Sequence, residues 1–347
     1  MKNWIVILAA LNLAFMPGCT STHKMSDTPE KQAMSEAPGT RIFKPFIGDR
    51  WIGNAICYSP YRDGQSPDGG PWPTREELRE DLHIMARHWN LIRMYGSRGP
   101  AETVLELIRE DKLPIKMLLG AWIHMEERFG ADGAVVERFP DTVGANEGEV
   151  KTAIRLANQY PDIVLAVSVG NETQVSWSAH RLPAELLISY IREARAGVKV
   201  PVTTADDFTY WDKPESKLVA DEIDFIVMHA HPVWCGMPLE KGLPFTREQR
   251  EVIMRLHPNR EVVIGETGWA TRKHNEGEQA RLIVGALGED EQQQFYDEFL
   301  GWTTANHVTN FVFEAFDENW KGGPHPDEVE KHWGLYNADR TPKKVLR

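Results

Sequence analysis

Apolar and polar positions alternate along this chain in a long, regular rhythm. Eight short apolar runs, at 51–58, 91–96, 115–122, 164–172, 200–207, 224–232, 261–269 and 310–318, are each bounded by turn residues. Runs of that length, rich in Val, Ile and Leu and without polar alternation, predict strands covered on both faces, as in a parallel sheet. Between them the period changes to that of a helix. Thr74 opens one such stretch: T-R-E-E places Glu77 three residues on, a capping box, and Leu78, Leu82, Met85, Ala86 and Trp89 follow at helical spacing. Further helices are expected at 101–111, 147–160, 183–198 and 246–257, and one carrying Glu291, Phe295, Phe299 and Trp302 in register. The acidic run 289–291 suits that helix's N-terminus. Two long loops, 124–146 and 271–288, interrupt the rhythm. Eight alternations of strand and helix predict a single-domain (β/α)8 barrel of the TIM type rather than an open sheet.

Residues 1–18 stand outside this pattern. Lys2 precedes an apolar run from Trp4 to Phe15, too short to span a bilayer, and Met16-Pro17-Gly18-Cys19 closes it, as in an export signal. The cysteine resembles a bacterial lipoprotein cleavage site, which makes Cys19 the lipidated N-terminus. Residues 19–44 read as a disordered tether, and 45–347 as the (β/α)8 domain. The expected location is the cell envelope, held in the outer membrane by the N-terminal lipid.

The formal charge of −12 argues against nucleic acid as a partner. Twelve tryptophans and eight tyrosines in an acidic, exported chain suit stacking on neutral sugar rings. Cys57 and Cys235 fall at the ends of the first and sixth strands, across a barrel from each other, so no disulfide is expected.

The chemistry gathers at the strand ends. V-V-I-G-E at 262–266 and V-S-V-G-N-E at 167–172 are two buried runs that each deliver a glutamate beside a glycine. In a parallel barrel those ends converge on one cleft. Hydrolysis of a sugar acetal needs one protonated and one ionised carboxyl group, and Glu172 and Glu266 supply such a pair. Glu172, near the apolar Val175 and Trp177, is expected to be the proton donor. Glu266, on the side where Arg93, Tyr95 and His231 should approach, is expected to be the nucleophile. The residues expected to bind substrate are Tyr58, Arg93, Tyr95, Trp122, Asn171, His231, Trp234, Trp269, Glu314, Glu318, Trp320 and Lys321. His229-x-His231 invites a metal reading, but no other ligands stand at suitable spacing, so neither metal nor cofactor is expected.

Several segments together resemble glycoside hydrolase family 17: C-Y-S-P-Y at 57–61, I-R-M-Y-G at 92–96, V-G-N-E at 169–172, G-E-T-G-W at 265–269, F-E-A-F-D-E-N-W-K at 313–321 and W-G-L-Y-N-A-D-R-T-P-K at 333–343. The resemblance implies a (β/α)8 barrel, β-1,3-glucan as substrate, and a retaining double displacement with Glu172 as acid/base and Glu266 as nucleophile. It also implies that Asn171 contacts the sugar 2-hydroxyl, that Tyr95 belongs to the reactive subsite, and that Glu314, Glu318 and Lys321 form a supporting network. The chain departs from the family at His231, where an aromatic residue, often tyrosine, is usual. Three other readings stay open. One is a β-1,3-glucan transglycosylase using the same glutamates, with an acceptor platform built by the loops 123–148 and 270–289. Another is a β-1,4-glucan or mannan hydrolase of a sister barrel family. The third is a non-catalytic glucan-binding surface lipoprotein. The protein is expected to act as a monomer.

Overall fold

The computed structural model describes residues 39–130 and 134–347. The expected export signal and Cys19 lie outside the described residues, and no described helix is long and apolar enough to cross a membrane. Eight parallel strands close on themselves: β1 (Asn54–Cys57), β2 (Leu91–Met94), β3 (Lys116–Ala121), β4 (Val164–Asn171), β5 (Val202–Asp207), β6 (Ile226–His229), β7 (Val262–Thr267) and β8 (Asn310–Val312). Each pairs with its neighbour in sequence, and β8 pairs with β1. The strands are buried along almost their whole length, as continuous Val/Ile/Leu runs require when helices cover one face and the barrel interior the other.

Among the described residues, six helices of ten residues or more pack outside: α1 (Arg75–Met85), α2 (Ala101–Glu110), α3 (Pro140–Gln159), α4 (Ala184–Gly197), α5 (Leu239–Leu256) and α6 (Glu289–Asn306). The capping box forms as expected. Glu77 N–H donates to Thr74 Oγ1 at 3.2 Å, and Thr74 N–H donates to Glu77 Oε2 at 2.7 Å. Leu78, Leu82 and Met85 follow into the core.

Several boundaries differ from the sequence reading. The loop expected at 124–146 holds an antiparallel hairpin, Glu127–Phe129 with Val135–Arg138, and α3 begins within it at Pro140, where proline suits a first turn. Helix α5 starts at Leu239, ahead of the expected 246, and carries Pro244 near its beginning. The loop 271–288 contains a short helix, Gly277–Leu282, and two four-residue helices, Phe208–Trp211 and Lys217–Ala220, bridge β5 to β6.

β8 stops at Val312 and no long helix follows it. The chain instead returns through a 3-10 turn, Val329–Lys331, and lays its closing segment beside 314–317. Leu335 N–H donates to Glu314 O, Tyr336 N–H to Ala315 O and Asp317 N–H to Tyr336 O, each at 2.9 Å. Those backbone groups are thereby satisfied without extending the barrel ladder.

The residues just before 45 are not all tether. Phe43 is 3% exposed and stacks on Phe225 with centroids 4.6 Å apart. Arg41 donates to Val200 O and Arg195 O at 2.8 Å each, and its N–H donates to Asp224 Oδ1 at 2.9 Å. These partners lie at the amino ends of β5 and β6 and the end of α4, which is the floor of the barrel.

Candidate active site

Glu266 stands near the carboxyl end of β7, 6% exposed, and four groups surround its carboxylate. Arg93 Nη1 and Tyr95 OH each donate to Oε1 at 2.9 Å, His231 Nε2 lies 3.2 Å from Oε2, and His229 Nε2 lies 3.4 Å from Oε1. Arg93 and Tyr95 leave β2 two positions apart, on one face, so both reach the barrel axis. Gly265 makes room chiefly for Val227 on β6 and lets Arg93 approach its backbone. A Cβ there would stand 2.1 Å from Val227 Cγ1 and 3.4 Å from Arg93 Nη1, and Gly265 O accepts from Arg93 Nη1 at 2.9 Å. Burial works against the ionised form of Glu266, but the positive charge that His229 and His231 carry when protonated, together with Arg93, outweighs it and holds the carboxyl well below its ordinary range. Burial, and after it the charges of Cys57 and Glu266, push the Tyr95 phenol well above its usual value, so it remains a donor.

Glu172 stands across the barrel at the end of β4, with its side chain 30% exposed. Consecutive strand residues normally point to opposite faces, yet Asn171 and Glu172 both serve the cleft. Positive φ angles of 81° at Gly170 and 50° at Glu172 break the alternation, and the β4–β5 register shifts between Ser168 and Asn171. The left-handed conformation costs a non-glycine residue about 1 kcal/mol and here turns a carboxylate into the site. Asn171 Oδ1 accepts from Arg93 Nη2 at 2.5 Å, which fixes the amide and turns its NH2 group away from Arg93.

His229, completely buried at the end of β6, joins the two halves. Its Nδ1 lies 3.0 Å from Glu172 Oε1, and its Nε2 lies 3.0 Å from Arg93 Nη1 as well as near Glu266. A guanidinium can only donate, so in the neutral ring Nε2 accepts and Nδ1–H faces Glu172. This imidazole is the polar partner that Glu172 meets. The chain's His-x-His pair puts both rings on one strand face, and each ring spends a nitrogen on a glutamate. His231 is held edge-on by Phe313 and Trp333, with centroids 5.4 and 5.1 Å away. Burial lowers its pKa, but Glu266, with Glu172 and Glu330 adding to it, outweighs that, and the net direction is upward.

Further acids stand close by. Asp207, at the end of β5, is pushed up to about 7 by burial, against its two hydrogen bonds from Thr209, with Glu172 adding to the rise. Burial likewise raises Glu330, whose Oε1 accepts from Trp234 Nε1 at 2.8 Å. Glu330 and His229 were not among the residues expected to bind substrate. His229 was legible as a strand-end histidine two positions from His231, whereas Glu330 comes from the returning segment after β8 and carried no periodic signal.

The remaining expected residues sort into three groups. Lys321 Nζ donates to Glu314 Oε1 and Oε2 at 2.7 and 2.6 Å and lies 2.8 Å from Glu318 Oε2, a largely buried charged cluster. Trp122, Trp234 and Trp320 are half-buried at the rim. Trp122 meets His180 edge-on at 4.6 Å, with His124 beside both. Burial and then His124 lower His180 to about 4, so that ring is neutral at physiological pH. Tyr58 and Trp269, expected in the cleft, are outside it. Cys57 Sγ points inward to Gly265 O at 3.4 Å, so the next residue turns outward, and Tyr58 OH donates to Asp81 on α1 at 3.2 Å. Trp269, 1% exposed, packs between α5 and α6 against Phe295 and donates to Ala286 O at 3.0 Å.

Residues 55–334 match the family model described as the BtgE/BtgC glycoside hydrolase domain. A glucan 1,3-beta-glucosidase of Arthroderma benhamiae is 28% identical over 296 residues, 81% of this chain and 85% of that one. The chain also matches longer Aspergillus relatives described as probable glucan endo-1,3-beta-glucosidase btgC, of whose length it spans 40%. The crystal structure of an endo-laminarinase from Formosa Hel1_33_131 is 27% identical with a TM-score of 0.70, covering 85% of this chain and 86% of that one. The glycoside hydrolase family 17 beta-1,3-glucanosyltransferase of Rhizomucor miehei shares the fold, with a TM-score of 0.65 at 22% identity over 84% of this chain and 95% of that one. With the two glutamates facing one buried histidine and a family match running from β1 past the closing segment's start, the chain belongs to the BtgE/BtgC glycoside hydrolase family.

Proposed function

We infer that the protein is a retaining glycoside hydrolase acting on β-1,3-glucan. One observation carries the reading: the two glutamates meet opposite nitrogens of a single imidazole but stand in unlike surroundings, one caged by donors and one open to solvent. Glu266 is the nucleophile. Its Oε1 is tied by Arg93 and Tyr95, which leaves Oε2, with one longer hydrogen bond, to attack the anomeric carbon. Glu172 protonates the leaving oxygen, then takes a proton from the incoming acceptor and frees the sugar from Glu266. The names of the Arthroderma glucosidase and the Formosa laminarinase support the substrate class.

The test is proton NMR of early hydrolysis products from laminarin: the β-anomer forms first if the reading holds, and the α-anomer forming first overturns it. A second reading, transfer to another glucan, is favoured by the Trp122–His180–His124 cluster beside Glu172, where an acceptor would have to displace water. Products longer than the starting laminari-oligosaccharide would establish transfer. We also propose export, lipidation at Cys19 and action as a monomer. The leader pattern supports the first two. Failure of Cys19→Ala to reduce fatty-acid labelling would overturn the lipidation, and light scattering decides the third.

A further inference from the structure

Trp72 is the one tryptophan among the described residues that is exposed, at 47%. It is also firmly seated. A Cβ on Gly99 would fall 1.5 Å from its Cζ3 and 2.3 Å from its Cη2, and a Cβ on Gly70 would fall 2.9 Å from its Cδ1. Gly99 has φ of +65° and Gly70 has φ of +77°. Two glycines in a conformation that favours glycine therefore leave room for the two ends of the indole. A solvent-facing apolar ring held this way is prepared for a partner, not displaced by poor packing.

The ring does not stand alone. Tyr61 meets Trp72 edge-on at 6.4 Å and Trp320 edge-on at 5.9 Å. Trp320 Nε1 donates to Glu318 Oε1 at 2.9 Å, which joins the row to the Glu314–Lys321 cluster of the cleft. Tyr61 and Trp72 lie on the loop after β1, Gly99 on the loop after β2 and Trp320 on the segment after β8. This arc faces β4 across the barrel. Glu172, on β4, protonates the leaving oxygen, so the departing part of the chain lies on its side, and the part held by Glu266 extends the other way.

We propose that Trp72, with Tyr61 and Trp320 leading to it, is a remote subsite for glucosyl units on the glycone side of the cleaved bond. This rests on the glucan-hydrolase reading above. The C–H faces of neutral sugar rings lie against an indole without any charge being required, as suits a neutral polymer.

The experiment measures kcat/KM on laminari-oligosaccharides from the trimer to the heptamer, together with the position of the cleaved bond in 18O-labelled products. Trp72→Ala should lower the ratio of heptamer to trimer kcat/KM roughly tenfold, through KM, and shift cleavage so that fewer units remain on the glycone side. Gly99→Ala, which pushes the indole from its seat, should move both readings the same way, and Trp72→Phe should restore part of the loss. An unaltered length ratio in Trp72→Ala, or a shift that leaves fewer units on the leaving side, overturns the subsite while leaving the hydrolase reading intact. A wild-type protein inert on every β-1,3 oligomer overturns the hydrolase reading. In that case calorimetric titration with laminariheptaose and cellohexaose decides the subsite: binding of neither, or binding unaffected by Trp72→Ala, overturns it.

Discussion

The carboxylates at the ends of β7 and β4 are alike in sequence, each a glutamate after a buried apolar run, yet their surroundings differ. Glu266 is enclosed by a guanidinium, a phenol and two imidazoles. Glu172 has one imidazole and an open side. The enclosed group is held ionised and immobile, as a nucleophile must be. The open one can exchange its proton with solvent and meet an acceptor. A double displacement needs this asymmetry, because the same acid has to give up a proton in one half-reaction and take one back in the other.

The sharpest way to break the comparison is to remove each carboxylate and supply azide. Glu266→Ala and Glu172→Ala should each lose on the order of 10⁴-fold or more in kcat on natural glucan, by analogy with other enzymes that lose an essential covalent-catalysis group. With an activated leaving group and azide, Glu266→Ala should yield an α-glycosyl azide and Glu172→Ala a β-glycosyl azide. The opposite products would exchange the two roles.

Arg93→Gln should act almost as strongly, chiefly through Glu266 and also through Asn171. The buried carboxylate loses its ion-pair partner, so unfolding free energy should drop by about 3–5 kcal/mol in chemical denaturation, and the acid limb of the kcat/KM profile should move to higher pH. An acid limb that stays in place would mean that Arg93 does not set the charge of Glu266.

His231 sharpens the comparison on the alkaline side. Its folded pKa lies above the ordinary 6.5, so the charged ring stabilises the site below that pH and the contribution is lost as pH rises through the raised value. His231→Gln should cost about tenfold in kcat/KM at pH 6 and flatten the decline above neutrality. A profile parallel to wild type would remove His231 from the cage.

The smallest effect belongs to Asp207. An acid whose pKa rises from 3.8 in the unfolded chain to about 7 in the folded one binds its proton more tightly when folded, so stability falls as pH climbs from about 4 to 7. Asp207→Asn should abolish that slope, a gain in stability at pH 8 but not at pH 4 by thermal or denaturant unfolding.

Much of this could be read before any coordinates, and the misses share a cause. Continuous apolar runs reveal buried parallel strands, and a glutamate after such a run is conspicuous, so β4, β7 and their carboxylates stand out. Side-chain direction is harder. Tyr58 and Trp269 come at strand ends like Arg93 and Glu266, but strict alternation turns Tyr58 to α1, and the turn after β7 carries Trp269 between helices. Parity from Cys57 would have found the first. Asn171 and Glu172 defeat parity through the positive φ angles at 170 and 172, which adjacent residue types do not announce. Glu330 arrives on a segment whose course is set by backbone pairing with 314–317, a tertiary fact with no local signature.

The docking of Arg41 and Phe43 under β5 and β6 has a consequence for how the enzyme meets a polymer. The polypeptide enters the barrel from beneath, at the pole opposite the catalytic mouth. Any attachment made through residues upstream of Gly39 would therefore reach the domain on the face opposite its opening, leaving that mouth clear for a long polymer.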